Sequence, residues 1–200
     1  MCHRRDRQDG RQGGGVVCYV RENQPFSLVK PADDDDVESL WLLYRQPRMP
    51  RSLSHILVGV VYHSPSAKSY TRQPILLTFD NVDAVVRQHP NVGTMIVGDF
   101  NRMKDKQMYD LSLKQIVKAA IRKSATLDKI YTNIGEWHNE PTILPNIANS
   151  DHRAVILLPI EGVIHTAGHR TTVTVRATTE IEKFCWLAVL LRSTGRNSTT

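Results

Sequence analysis

The chain is poor in several things, and each shortage removes a class of protein. Its 200 residues hold only three cysteines, Cys2, Cys18 and Cys185, odd in number and without CxxC spacing. Such usage fits free thiols in a reducing compartment and excludes a disulfide framework or a cysteine-rich zinc site. Long apolar runs are missing too. The longest, Phe184 to Leu191, falls far short of the roughly 20 residues that a membrane-spanning helix needs. The opening stretch MCHRRDRQDGRQ is basic but has no apolar centre, and its interspersed Asp6 and Asp9 make it read as a solvated segment. The expectation is a soluble, intracellular protein.

What is present is globular in balance. Apolar residues make up 40% and charged residues 23%, enough for one domain with a sizeable core. Lys and Arg outnumber Asp and Glu by 26 to 20, for a net charge of +6. That excess favours a polyanionic partner and also serves solubility.

Patterning along the chain predicts an alternation of strands and helices. Gly13 to Gly15 feed a strand from Val16 to Arg21, and Phe26 to Val29 pairs as a short second one. Asp33 to Asp36, four consecutive acids, read as a solvated loop. Ser39 to Tyr44 and the β-branched Ile56 to Tyr62 read as strands, the latter central. Ile75, Phe79, Val82 and Val86 recur at helical spacing and predict a helix ending near His89 and Pro90. Leu113, Ile116, Val117 and Ala120 predict a second helix over Leu111 to Ile121. Strands are expected at Leu127 to Thr132 and Ala154 to Pro159. This order fits an α/β layered domain with mixed sheets. Composition shifts to Thr, Ser, Gly and Arg after Pro159, so the domain is read as residues 1–160 and residues 161–200 as a tail or linker.

The centre of the pattern is TMIVGDFN, Thr94 to Asn101. An apolar run ended by Gly98 reads as a buried strand stopping at a sharp turn. With an extended chain past that turn, Asp99 and Asn101 project together and Phe100 turns inward. An Asx-type turn is the alternative for the same residues. Tyr62, Asp128 and the Asp151–His152 pair also fall at or beside predicted strand ends.

Each has an ordinary structural explanation, but together they suit phosphodiester cleavage. Attack by water needs an oriented nucleophile, charge stabilisation at phosphorus and a proton for the departing oxygen. A carboxylate such as Asp128 can hold His152 in one tautomer, Asp99 can move a proton, and Asn101 and Tyr62 can contact the phosphate. A hard cation such as Mg2+ would complete the set.

In order and spacing, GGGVVCYVRE, GVVYHSPS, MIVGDFN, ATLDKIYTN and NSDHRAVIL resemble the endonuclease/exonuclease/phosphatase family. The similarity spans about residues 4–160 and is greatest to the endonuclease domain of non-LTR (LINE-type) retrotransposons. The resemblance implies a four-layer α/β sandwich, two mixed sheets with outer helices, and Mg2+-dependent (or Mn2+-dependent) nicking of DNA. It implies a domain that is monomeric, nuclear and fused to a reverse transcriptase. It matches Asp99 and Asn101 to the catalytic Asp-x-Asn and His152 to the catalytic histidine. Asp128 matches that histidine's partner, Tyr62 the phosphate-contacting tyrosine, and Asp151 an acid near the metal.

The family also carries an Asn near its start and, one helix later, a metal-binding Glu. Neither precedes the Gly run here, and Glu22 and Glu38 stand in a different context. The chain is therefore expected to lack the N-terminal strands and helix of that domain and to hold Mg2+ weakly. The alternatives are a catalytically inactive, truncated fragment of the domain and a basic nucleic-acid-binding module without turnover.

Overall fold

The structure, a computed structural model, describes residues 1–6, 15–22, 24–29, 38–45, 49–63, 73–101, 103–147, 150–160 and 187–190. The acidic run Asp33 to Asp36 lies outside them. The strands are β1 (Cys2–Arg5), β2 (Val16–Val20), β3 (Phe26–Val29), β4 (Glu38–Tyr44), β5 (His55–Tyr62) and β6 (Val92–Asp99). They continue with β7 (Lys114–Gln115), β8 (Asp128–Thr132), β9 (Thr142–Asn146), β10 (Arg153–Ile156) and β11 (Leu187–Leu190). Two helices are described, α1 (Gln73–Gln88) and the short α2 (Lys106–Tyr109).

One six-stranded sheet, in the order β3-β4-β5-β6-β8-β7, carries the domain. Only β5 and β6 run parallel within it, and α1 makes the crossover that a parallel pair requires. The remaining pairs are antiparallel, so the sheet is mixed. On one face Trp41, Leu57, Ile96 and Tyr131 pack against Val82 and Val85 of α1 and against Met103, Met108 and Leu113. On the other, Leu40, Leu42 and Val60 pack against Val16, Cys18 and Val20 of β2, in the small sheet β1-β2-β11. Beside them Ile130 and Val97 meet Ile143 and Val155 of the β9–β10 hairpin. The architecture is a mixed α/β sandwich, with helix on one face of the large sheet and smaller sheets on the other.

Glycine makes one close approach possible inside this core. A Cβ at Gly59 would overlap the Trp41 indole, so the glycine lets that ring come close to the β5 backbone.

Three elements differ from the sequence expectation. The helix expected over Leu111 to Ile121 is instead a turn, the edge strand β7 and an extended segment. Leu113 is buried among the α1-side residues, while Val117 and Ile121 join the hairpin side, so the apolar residues serve two faces of a sheet edge. In an extended chain the odd step from Leu113 to Ile116 puts those two on opposite faces, and β-branched Ile116 and Val117 favour a strand over a helix. β1 forms where a solvated segment was expected, because Cys2 to Arg5 gain backbone pairing with Tyr19 to Val16 despite their polar side chains. β9 was likewise not foreseen, since its residues are mostly exposed and carry no clean alternation. Within residues 161–200, Leu187–Leu190 pairs antiparallel with β2.

Candidate functional site

The register of the large sheet lines four polar residues up in one row. Glu38 on β4 faces Tyr62 on β5, Tyr62 faces Asp99 on β6, and Asp99 faces Asp128 on β8. Directly opposed residues put their side chains on the same face. This row therefore shares the side of Leu40, Val60, Val97 and Ile130, two positions further along each strand. It stands at the carboxyl ends of the two parallel strands, where α/β sheets commonly bind ligands.

Gly98 shapes the end of β6. It has φ of 154°, and a Cβ there would collide with the Val61 carbonyl of the neighbouring strand. Immediately after it Asp99 is 5% exposed and Phe100 2%, so Phe100 turns inward as expected. The chain does not stay extended beyond Phe100, however. Asn101 takes φ of 47°, and its backbone N–H donates to Asp99 Oδ1 at 3.0 Å, an Asx-type turn. The turn and the polar site are thus the same object. Asn101 Nδ2 donates to the His63 carbonyl at 2.7 Å, which ties the ends of β5 and β6 together and leaves its second amide hydrogen and Oδ1 for other partners.

His152 comes from the loop before β10. Its N–H donates to Ser150 Oγ at 3.1 Å, and the Arg153 N–H donates to the Ile121 carbonyl at 3.0 Å. The ring is delivered to Asp128, with Nδ1 2.5 Å from Asp128 Oδ2. A carboxylate only accepts, so Nδ1 carries the hydrogen. Nε2 lies 3.8 Å from Asp151 Oδ1, beyond hydrogen-bond reach, and remains available to a substrate.

The electrostatics separate the two proton-carrying groups. Burial first, then the neighbouring Asp128 charge, pushes the Asp99 carboxyl up to about 6, against the Asn101 N–H and the charges of His152 and Arg122. His152 is raised above the ordinary imidazole range by its hydrogen bond to Asp128, with burial opposing and the charges of Asp128, Asp99 and Asp151 adding. A carboxylate poised near neutrality beside a stabilised imidazolium is suited to proton transfer.

Asp151 does not join the row. Its Oδ2 is 2.6 Å from Arg122 Nη2, at the surface. This bears on the expected cation. Mg2+ demands near-octahedral oxygen ligation. Among the described residues no three His, Cys, Asp or Glu side chains converge on such a position. The acids also have other partners: Asp99 the Asn101 N–H, Asp128 the His152 ring, and Asp151 the Arg122 guanidinium. Among the described residues, the side chains at this site do not fit a resident Mg2+ ion.

Two residues were not singled out from sequence. Glu38 was set aside, yet it is 8% exposed, belongs to the row, and its Oε2 accepts from the Gly15 N–H. Arg122 had no motif around it. Glu22, by contrast, sits exposed after β2.

Fold and site define a class: a mixed α/β sandwich with a carboxylate row and a carboxylate–histidine pair at its strand ends. No protein-family model matches the chain, and no curated protein matches it. Among solved structures it is similar to the endonuclease domain of TRAS1, a telomere-specific non-LTR retrotransposon. The identity is 10% and the TM-score 0.56, over 82% of this chain and 80% of that one. A second similar structure is a functionally unknown conserved protein from Enterococcus faecalis V583, at 14% identity and a TM-score of 0.45, over 80% of this chain and 77% of that one. At these identities the likeness is one of fold.

Proposed function

We propose that this chain is a phosphodiester hydrolase acting on DNA, an endonuclease domain of the retrotransposon type. The observation that carries the reading is the Asp128–His152 pair, at 2.5 Å, beside the buried Asp99 in the same row. Asp99, ionised above about 6, accepts the proton of an attacking water. As the water oxygen bonds to phosphorus, the phosphorus–oxygen ester bond breaks. His152, held protonated by Asp128, gives its Nε2 proton to the departing oxygen. Tyr62 and the free amide hydrogen of Asn101 supply donors for the phosphate. No step is assigned to Mg2+ or Mn2+. The fused reverse transcriptase and the nuclear setting that the resemblance implies belong to the same proposal.

The test is nicking of supercoiled plasmid, in Mg2+, in Mn2+ and in EDTA, by this chain and by Asp99→Ala and His152→Ala. The reading predicts nicked circles from the parent chain and a loss of at least a hundredfold in both variants. Equal activity in all three chains would sink it. A second reading, nucleic-acid binding without turnover, is favoured by one observation: no three metal-ligating side chains converge among the described residues. Binding with no nicking under any of the three conditions would select it.

A further inference from the structure

Among the described residues the site has no cation cage, but it holds a fixed cation of its own. Arg122 opens a tight turn in which Ile121 and Arg122 N–H groups donate to the Ala125 carbonyl, and Ala125 N–H donates back to Arg122. Lys123 takes φ of 51° to close it. The Arg153 N–H, next to His152, donates to the Ile121 carbonyl, so the turn is fastened to the histidine's segment. The Arg122 guanidinium is fastened again through Asp151, 2.6 Å away, and its charge reaches Asp99. Its side chain keeps 44% exposure. A guanidinium has five N–H donors in a planar fork, more than the single ion pair with Asp151 can occupy.

We infer that Arg122, aimed by Asp151, is the phosphate anchor of this site, so that a phosphodiester backbone binds here without a divalent cation. An exposed ion pair of this kind contributes little to stability. What it supplies is aim: Asp151 meets the Arg122 Nη2 at 2.6 Å through one oxygen and lies 3.8 Å from the His152 Nε2 through the other, which brings the guanidinium and the imidazole to the same carboxylate. Arg is better matched than Lys to a tetrahedral anion, because two parallel N–H groups can reach two phosphate oxygens. The inference rests on the proposed reading only in taking a phosphodiester as the ligand.

The experiment is equilibrium binding of a short fluorescent DNA duplex, read by anisotropy, in EDTA and then with Mg2+ added. In EDTA, Arg122→Gln is expected to weaken binding about tenfold or more, since charge-assisted hydrogen bonds are lost. Arg122→Lys should recover part of the loss, and Asp151→Asn should cost a smaller factor, about threefold, through lost aim. Arg51→Gln removes the same charge from the distant Arg51–Ser54 turn and is expected to change affinity by less than about twofold. Parent-like binding by Arg122→Gln, equal losses in the Arg122 and Arg51 variants, or parent binding that appears only with Mg2+ would overturn the inference. Thermal melts of the variants establish that each is folded. Arg122-dependent binding without nicking leaves this inference standing and removes the hydrolase reading; nicking with Arg122-independent binding does the reverse.

Discussion

Asp99 and Asp105 flank the same short loop, yet the protein treats the two carboxyls in opposite ways. Asp105 sits on the helix side of the sheet, where Lys129 Nζ reaches its Oδ1 at 2.6 Å and the Tyr131 hydroxyl at 2.7 Å. Burial alone would raise it, but those two donors outweigh burial and hold it below the ordinary carboxylate range. Lys129 also donates to the Met103 carbonyl at 2.8 Å, so the cluster clamps the loop after β6 onto β8. Asp99, on the other face, has a backbone donor from Asn101 and an acid, Asp128, across the strand, and it rises to about 6. Strand β8 serves both: Asp128 points to the site and the next residue, Lys129, to the clamp. A satisfied carboxylate builds structure, and an under-compensated one is held ready for a proton.

The largest expected effect breaks this contrast at Asp99. Asp99→Asn should lower nicking by about a hundredfold to ten-thousandfold while leaving a folded chain. Because the native carboxyl is raised, its ionised form opposes folding. The same substitution should therefore stabilise the protein at neutral pH by on the order of 2 kcal/mol, read by denaturant titration. Loss of both activity and stability would contradict the account.

Next in size, Asp105→Ala removes the partner of a buried ammonium. Lys129 has a side chain only 9% exposed, and Asp105 is 38% exposed, so the cost is about 2 kcal/mol rather than the full penalty of a buried pair. The pH profile of nicking should keep its shape, because Asp105 lies outside the row.

The pH dependences sharpen the comparison further. Stability from Asp99, raised in the fold, is fully present below the ordinary 3.8 and lost as pH rises through about 6. His152 is also raised, so its contribution is present below 6.5 and lost as pH rises through its folded value. Asp105 is lowered and runs the other way: present above 3.8, lost as pH falls through its folded value. Nicking should rise with pH through about 6 as Asp99 ionises, then fall as His152 loses its proton. Asp128→Asn should move that alkaline limb to lower pH, since the largest support of the imidazolium is gone.

Much of this could be read along the chain, because it depends on local order. Met95 to Val97 ending at Gly98 announces a buried strand and a turn, and Asp99 follows directly. Tyr62, Asp128 and His152 stand at strand ends that β-branched runs make visible. Glu38 was out of reach, because its place depends on register across β4 and β5, which no local pattern specifies. Arg122 was hidden for a related reason. The segment before it has apolar residues at a spacing of four, which reads as helix until the sheet edge offers Ile116 an N–H bond to the Ile130 carbonyl. The strand β1 gained its place from backbone pairing alone, which polar side chains do not advertise.

The central claim is that the fold holds Asp99 poised and Asp105 satisfied. Carbon-13 NMR titration of both side-chain carboxyls in one sample tests it most directly. The account predicts that Asp99 titrates near 6 and Asp105 below 3.8, with Asp99 falling when Asp128 is changed to Asn. Titration of both carboxyls together in the ordinary range, unaffected by Asp128→Asn, would contradict it.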